Sequence, residues 1–153
     1  MNTNWNKDWR RSIIVMSGGF DPVHKGHLRM FRQASWLGHQ VIIGLNSDDW
    51  LTRKKGKPFM EFEERREILE AFRYINQVIP FKDSDDSACD LIEKVDDMYD
   101  TDYNIYFANG GDRGKDNVPE VDVCKELGIE MLWGVGGDKI QSSSWLTNNS
   151  EEK

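Results

Sequence analysis

Short runs of consecutive apolar residues alternate along the chain with stretches whose apolar residues recur every three or four positions. The runs read as buried strands and the periodic stretches as amphipathic helices. Strands are predicted over 12–16 (SIIVM), 39–46 (HQVIIGLN), 77–81 (QVIPF), 104–111 (NIYFANGG) and 129–137 (IEMLWGVGG). Helices are predicted over 27–38, 61–75, 86–99 and 118–128, with a short last one opening at the serines of 142–149. Gly38 suits a helix C-cap, and Pro119 is tolerated in a first helical turn. Such alternation predicts an α/β domain: a parallel sheet of about five strands with helices on both faces. The domain spans 12–147, between a polar N-terminal segment (1–11) and a short tail (148–153). Sheets of this kind bind ligands where strand carboxyl ends meet helix N-termini.

Composition narrows the class. A chain of 153 residues, 38% hydrophobic and 31% charged, suits one globular domain. No apolar run approaches the ~20 residues that span a bilayer. The polar N-terminus lacks the apolar centre of a signal peptide, so a cytoplasmic protein is expected. Cys89 and Cys124 fall in predicted helices and read as buried thiols rather than a disulfide. A net charge of −7 argues against a nucleic-acid-coating protein. Yet TRKKGKP (52–58) concentrates positive charge, either for a small anionic ligand or as a solvated loop. No residue spacing suggests zinc.

Candidate chemistry starts at GGFDPVHKGHL (18–28), the first strand-to-helix turn. Gly18 and Gly19 permit close backbone approach, Pro22 fixes the loop, and Gly26 leaves room beside His24 and His27. Free N–H groups and the helix dipole suit phosphate there, and two imidazoles add hydrogen bonds and, if protonated, charge. His27 also shares a helical face with Phe31 and Ala34, the pattern of a core histidine; the second histidine and the glycine between them favour a site.

The helix from Glu61 gives a second sign. Phe62, Ile68, Leu69, Phe72 and Ile75 form one apolar stripe, with Arg65 near its middle and Arg66 outside it. An inward arginine needs an anionic partner, either phosphate or a carboxylate of the protein.

These residues resemble the HxGH nucleotidyltransferase superfamily of cytidylyltransferase-like proteins. His24-Lys25-Gly26-His27 matches its HxGH within the fuller GxFDxxHxGH pattern. The likeness runs from about Ile13 to Leu146 and is strongest to glycerol-3-phosphate cytidylyltransferases through SDDWLTRKKGKPFMEFEERREILEAFRYINQVIP. It implies a Rossmann-like domain in which Gly18, Gly19, Phe20, Asp21 and Gly26 bind a nucleotide. It implies catalytic roles for His24, His27, Lys54 and Arg65. KIQSSSWL resembles the family's serine–threonine block, adding Ser142, Ser143 and Ser144 to the nucleotide contacts, with Gln141 where isoleucine is usual. Arg73, Lys57 and Asp112 are the implied acceptor contacts. Two departures bear on the nucleobase. The arginine of the cytidylyltransferases' RTEG is absent from Gly137-Asp138-Lys139-Ile140. Asn109-Gly110-Gly111-Asp112 resembles the KGGD block of heptose-phosphate adenylyltransferases and makes Gly111 a nucleotide contact.

The expected reaction is transfer of CMP from CTP, or of AMP from ATP, to a phosphorylated small-molecule acceptor. Mg2+ is expected to arrive with the triphosphate, without direct protein ligands; Asp21 and Asp112 are the candidates for direct or water-mediated help. No nucleic-acid or membrane partner is expected, and the resemblance implies a homodimer. Two alternatives belong to other classes: a nucleotide-binding module without turnover, and an aminoacyl-tRNA synthetase-like core. The short acidic chain, with no KMSKS-type loop, speaks against the second. Trp50, Trp133 and Trp145 fit packing better than base stacking.

Overall fold

The computed structural model describes residues 11–99, 103–110, 119–137 and 141–142. Among the described residues six strands form one sheet: β1 (Arg11–Gly18), β2 (Gln40–Leu45), β3 (Gln77–Pro80), β4 (Tyr103–Gly110), β5 (Glu130–Val135) and β6 (Gln141–Ser142). The helices are α1 (Lys25–Leu37), α2 (Asp48–Lys55), α3 (Phe62–Glu70), α4 (Cys89–Tyr99) and α5 (Glu120–Leu127). The sheet order is β3-β2-β1-β4-β5-β6. β1 to β5 are parallel, as the alternation predicts, and β6 adds a two-residue antiparallel edge. β1 begins at Arg11, one residue inside the segment read as an N-terminal extension.

Period-two alternation divides the core between the two faces. Ile13 and Val15 pack with Leu91, Val95 and Cys124 under α4 and α5. Ile14 and Met16 pack with Phe31, Ala34 and Leu69 under α1 and α3. The chain builds β1, β2 and β3 outward in one direction, then returns to place β4 on the other side of β1. That reversal opens a crevice between the carboxyl ends of β1 and β4.

Three elements differ from expectation. α2 forms where a basic loop is predicted. Ser47 caps it by accepting the Trp50 N–H at 3.1 Å. Asp48 and Asp49 lie in its first turn, and Arg53, Lys54 and Lys55 in its last, complementing the helix dipole. Gly56, at φ 95°, ends it. α3 stops at Glu70 rather than 75; turns carry Phe72 and Ile75 onto the same core face. Ser142 lies in β6, with Ser142 opposite Leu132, and not at a helix start. Ser143, Ser144, Trp145 and the rest of the predicted last helix lie outside the described residues, as do Gly111 and Asp112. Among the described residues, no helix is long and apolar enough to cross a membrane.

Candidate active site

The first strand-to-helix turn is held in an unusual shape. Phe20 has a positive φ of 49°, and the Asp21–Pro22 bond is cis. A Cβ at Gly18 would stand 2.8 Å from Cζ of Phe20, so glycine is what lets that ring fold back. The ring is 5% exposed. It meets His27 edge-on, with centroids 4.9 Å apart, and Phe31 at 5.4 Å. Phe20 therefore supports a histidine from below.

His24 is the N-cap of α1. Its Nδ1 accepts the Gly26 N–H at 3.1 Å, and His27 Nδ1 accepts the His24 N–H, also at 3.1 Å. This reciprocal pair is a capping box made by imidazoles in place of the usual hydroxyl and carboxylate. The rings stack with centroids 3.8 Å apart and 26° between planes. An accepting ring nitrogen carries no proton, so the bonding pattern assigns the proton of each neutral imidazole to Nε2. Burial, reinforced by His24, lowers the His27 pKa to about 4. His27 is thus a neutral donor at pH 7, where the sequence left a cation open.

Both rings line a cavity of about 440 Å³ over the crevice. Its wall includes Gly18, Gly19 and Gly26, then Ala108 and Asn109 at the end of β4 and Gly136 and Gly137 after β5. None of the described lining residues is Asp, Glu, Lys or Arg. Gly136 has φ +93°, and a Cβ there would lie 2.6 Å from Cγ of Met30, so only glycine lets this loop close against α1. Its N–H is donated to Oε1 of Gln33.

The charged candidates hold the frame. Arg65 is 1% exposed, as its place in the apolar stripe predicts. Its partners are protein oxygens: Nε donates to the Met60 carbonyl at 2.9 Å, Nη1 to the carbonyls of Gly19 and Asn46 at 2.9 Å each, and Nη2 to Asp48 Oδ1 at 2.6 Å. The expected phosphate contact gives way to a brace joining the carboxyl ends of β1 and β2 to α2. Asp21 is committed likewise. Its carboxylate accepts the Phe59 and Met60 N–H groups at 2.6 and 2.7 Å and pairs with Lys55 at 2.8 Å. Burial acts to raise its pKa, but Lys55 and the two N–H groups outweigh that and hold it below the ordinary value. With both oxygens engaged, Asp21 does not fit a direct Mg2+ ligand. Among the described residues no cluster of three or more His, Cys, Asp or Glu could hold a metal.

Lys54 is exposed at the end of α2, its Nζ 5.4 Å from the Trp50 ring centroid. Lys55 Nζ donates to the Asp21 carbonyl at 2.7 Å, so this cationic helix end borders the first strand-to-helix turn. Lys57 is exposed in the following loop. Arg73 is not brought to the site. It lines a separate cavity of about 320 Å³ with His39, Val41 and Asn76, at the amino ends of β2 and β3. A chain leaving a helix that packs against a parallel strand arrives at the next strand's amino end, and Arg73 lies on that stretch. Trp133 is 7% exposed and packs in the core. Asn109, Met30, Gly136 and Gly137 were missed as site residues; a polar side chain and glycines ending parallel strands were the signal available.

The family model described as Cytidylyltransferase-like matches residues 15–152. The chain belongs to that family. Glycerol-3-phosphate cytidylyltransferase of Bacillus subtilis is 30% identical over 86 residues, covering 56% of this chain and 67% of that protein. Bifunctional protein HldE of Coxiella burnetii is 37% identical over 86 residues, 55% of this chain but 18% of that longer protein. A lipopolysaccharide core biosynthesis protein from Thermoplasma volcanium superposes with a TM-score of 0.65 at 15% identity, over 84% of this chain and 99% of that one. That likeness is one of fold. It places this cytidylyltransferase-like chain on the Rossmann-like scaffold expected of it.

Proposed function

We propose that the chain transfers CMP from CTP to a phosphorylated polyol or sugar. The observation that carries this reading is the pair of stacked imidazoles at the α1 N-terminus, each with Nδ1 occupied and Nε2–H free for a phosphate oxygen. An anionic oxygen of the acceptor phosphate attacks the α-phosphorus in line. A new P–O bond forms, the bond to the β-phosphate oxygen breaks, and pyrophosphate leaves with the electron pair. The attacking oxygen is already anionic, so no general base or covalent nucleophile is needed. Catalysis comes from positioning and from donors preorganised toward developing charge.

His24 and His27 hold phosphate oxygens, and Lys54 supplies positive charge from the end of α2. Arg65 and Asp21 act as positioning residues. The resemblance assigns Gly111 and the serines 142–144 to the nucleotide, and Lys57 and Asp112 to the acceptor. Mg2+ carried by the triphosphate would offset phosphate charge that the described lining residues do not balance. The same proposal includes a cytoplasmic homodimer.

A second reading, transfer of AMP from ATP to a sugar phosphate, is favoured by the likeness of Asn109-Gly110-Gly111-Asp112 to the adenylyltransferase block and by the HldE relative. The test crosses four nucleoside triphosphates with phosphorylated polyols, sugars, choline phosphate and pantetheine phosphate, reading pyrophosphate. Release that requires both a triphosphate and an acceptor, and that His27→Ala abolishes in a folded protein, is expected. No release with any pair would refute transfer and favour the binding module.

A further inference from the structure

β4 ends in Ala108-Asn109-Gly110 at the crevice, where its pairing with β5 shifts register between Asn109 and Gly110. Asn109 is only 5% exposed and lines the cavity that holds the histidines. Its Nδ2 is buried and has no hydrogen-bond partner among the described residues. A buried amide donor without an acceptor is costly and uncommon. It marks a place where a ligand atom completes the bonding.

We propose that Asn109 recognises the nucleobase of the donor nucleotide, its Nδ2 donating to a ring nitrogen or carbonyl acceptor on the base edge. This rests on the nucleotidyltransferase reading and deepens it. Two features favour the base over a phosphate. The phosphate end of the cavity already has the two free Nε2–H groups of His24 and His27 at a helix N-terminus. The cavity lining also includes Met30, Ala108, Val135, Gly136 and Gly137, apolar or backbone only. Without side chains on the two glycines, that part of the lining suits a flat ring, and these five residues offer no competing charge. A neutral carboxamide also matches base edges, which pair donors with acceptors, better than it matches a polyanion.

Calorimetric titration of the full chain with CTP, ATP and inorganic tripolyphosphate, repeated on Asn109→Ala and Asn109→Asp, tests this. The expected result is a loss of about 10-fold in affinity for the favoured nucleotide in Asn109→Ala. A larger loss is expected in Asn109→Asp, where an acceptor replaces the donor at the same volume. Tripolyphosphate affinity should stay unchanged in Asn109→Ala, whose melting temperature verifies folding. An equal loss for tripolyphosphate in Asn109→Ala would assign Asn109 to the phosphates and overturn the proposal. Unchanged nucleotide affinity in both variants would do the same while leaving the transferase reading standing. A native chain that bound tripolyphosphate but no nucleotide more tightly would refute both together.

Discussion

Gly26→Ala separates the role of the HxGH turn in catalysis from its role in folding. The new Cβ would stand 3.0 Å from Cε1 and 3.2 Å from Nδ1 of His24. Carbon atoms pack comfortably at about 3.5–4.0 Å, so the imidazole has to move by roughly 0.5–1 Å. It can move only by loosening its bond to the Gly26 N–H and its 3.8 Å stack on His27. Two effects on stability oppose each other. Alanine favours a helical position over glycine by about 0.8–1.0 kcal/mol. Loss of an N-cap bond costs about 1 kcal/mol. The net change lies near zero, within about 1 kcal/mol, or about 2–4 °C in melting temperature for a domain of this size. The catalytic effect has no such compensation. Displacing a preorganised donor by up to ~1 Å costs on the order of 10² in rate. A melt alongside acceptor-dependent pyrophosphate release should show a nearly unchanged transition with turnover about 100-fold lower. Full turnover with an unchanged melt would show that the His24 ring position is immaterial, and the reading of this glycine would fall.

His27 sets a pH dependence. Its native pKa of about 4 lies below the ordinary 6.5, so the unfolded chain binds the proton first. The stability contributed by neutral His27 is complete above pH 6.5, falls as pH drops, and is lost by about pH 4. Imidazole C2–H shifts followed by NMR should show this ring neutral at pH 5.5, and a midpoint near 6.5 would refute the assignment. Arg65→Met removes the brace and strands three carbonyls, so urea unfolding should show a loss on the order of 3–5 kcal/mol. A change below about 1 kcal/mol would return Arg65 to a ligand-facing role. Asp21→Asn sets an amide against two backbone donors and breaks the Lys55 pair. Faster hydrogen exchange at Phe59 and Met60 is expected, and unchanged protection there would contradict the clamp.

Much of the fold was legible because burial imposes periodicity. Strands buried on both faces gave unbroken apolar runs, and the parallel order followed from their alternation with helices. α2 escaped because it buries only Leu51 and so has no stripe. Its capping serine, acidic start, basic end and stopping glycine were present in the sequence, and they carry the helix without one. Arg65 shows a different boundary. Its inward orientation follows from local period, but three of its four partners are carbonyls whose positions depend on how the ends of β1 and β2 and the segment before α3 converge. Arg73 failed for a topological reason, since the stretch after α3 arrives at the amino ends of the strands. Asn109 was not singled out as a contact because, within a strand predicted to run to Gly111, one polar residue gives no sign of which face it takes.

The division of labour at this site follows from the cost of moving charge. Arg65 and Asp21 are charged side chains at 0% and 1% exposure, and each is fixed by oxygens or N–H groups of the protein. A buried ion held by several fixed partners cannot turn toward a ligand without leaving those partners unsatisfied, so it serves best as a rigid joint. His27 and Asn109 face the cavity and are neutral at pH 7, and His24 beside them has its Nδ1 occupied as an acceptor. A neutral donor can face an empty cavity at lower cost than a buried ion and still find a strong partner when a polyanion enters. Positive charge is kept off the described cavity lining, on the exposed end of α2 that carries Lys54. Arg65 thus builds the frame of the site, and the phosphate contact proposed for the basic run falls to Lys54 on the exposed end of α2.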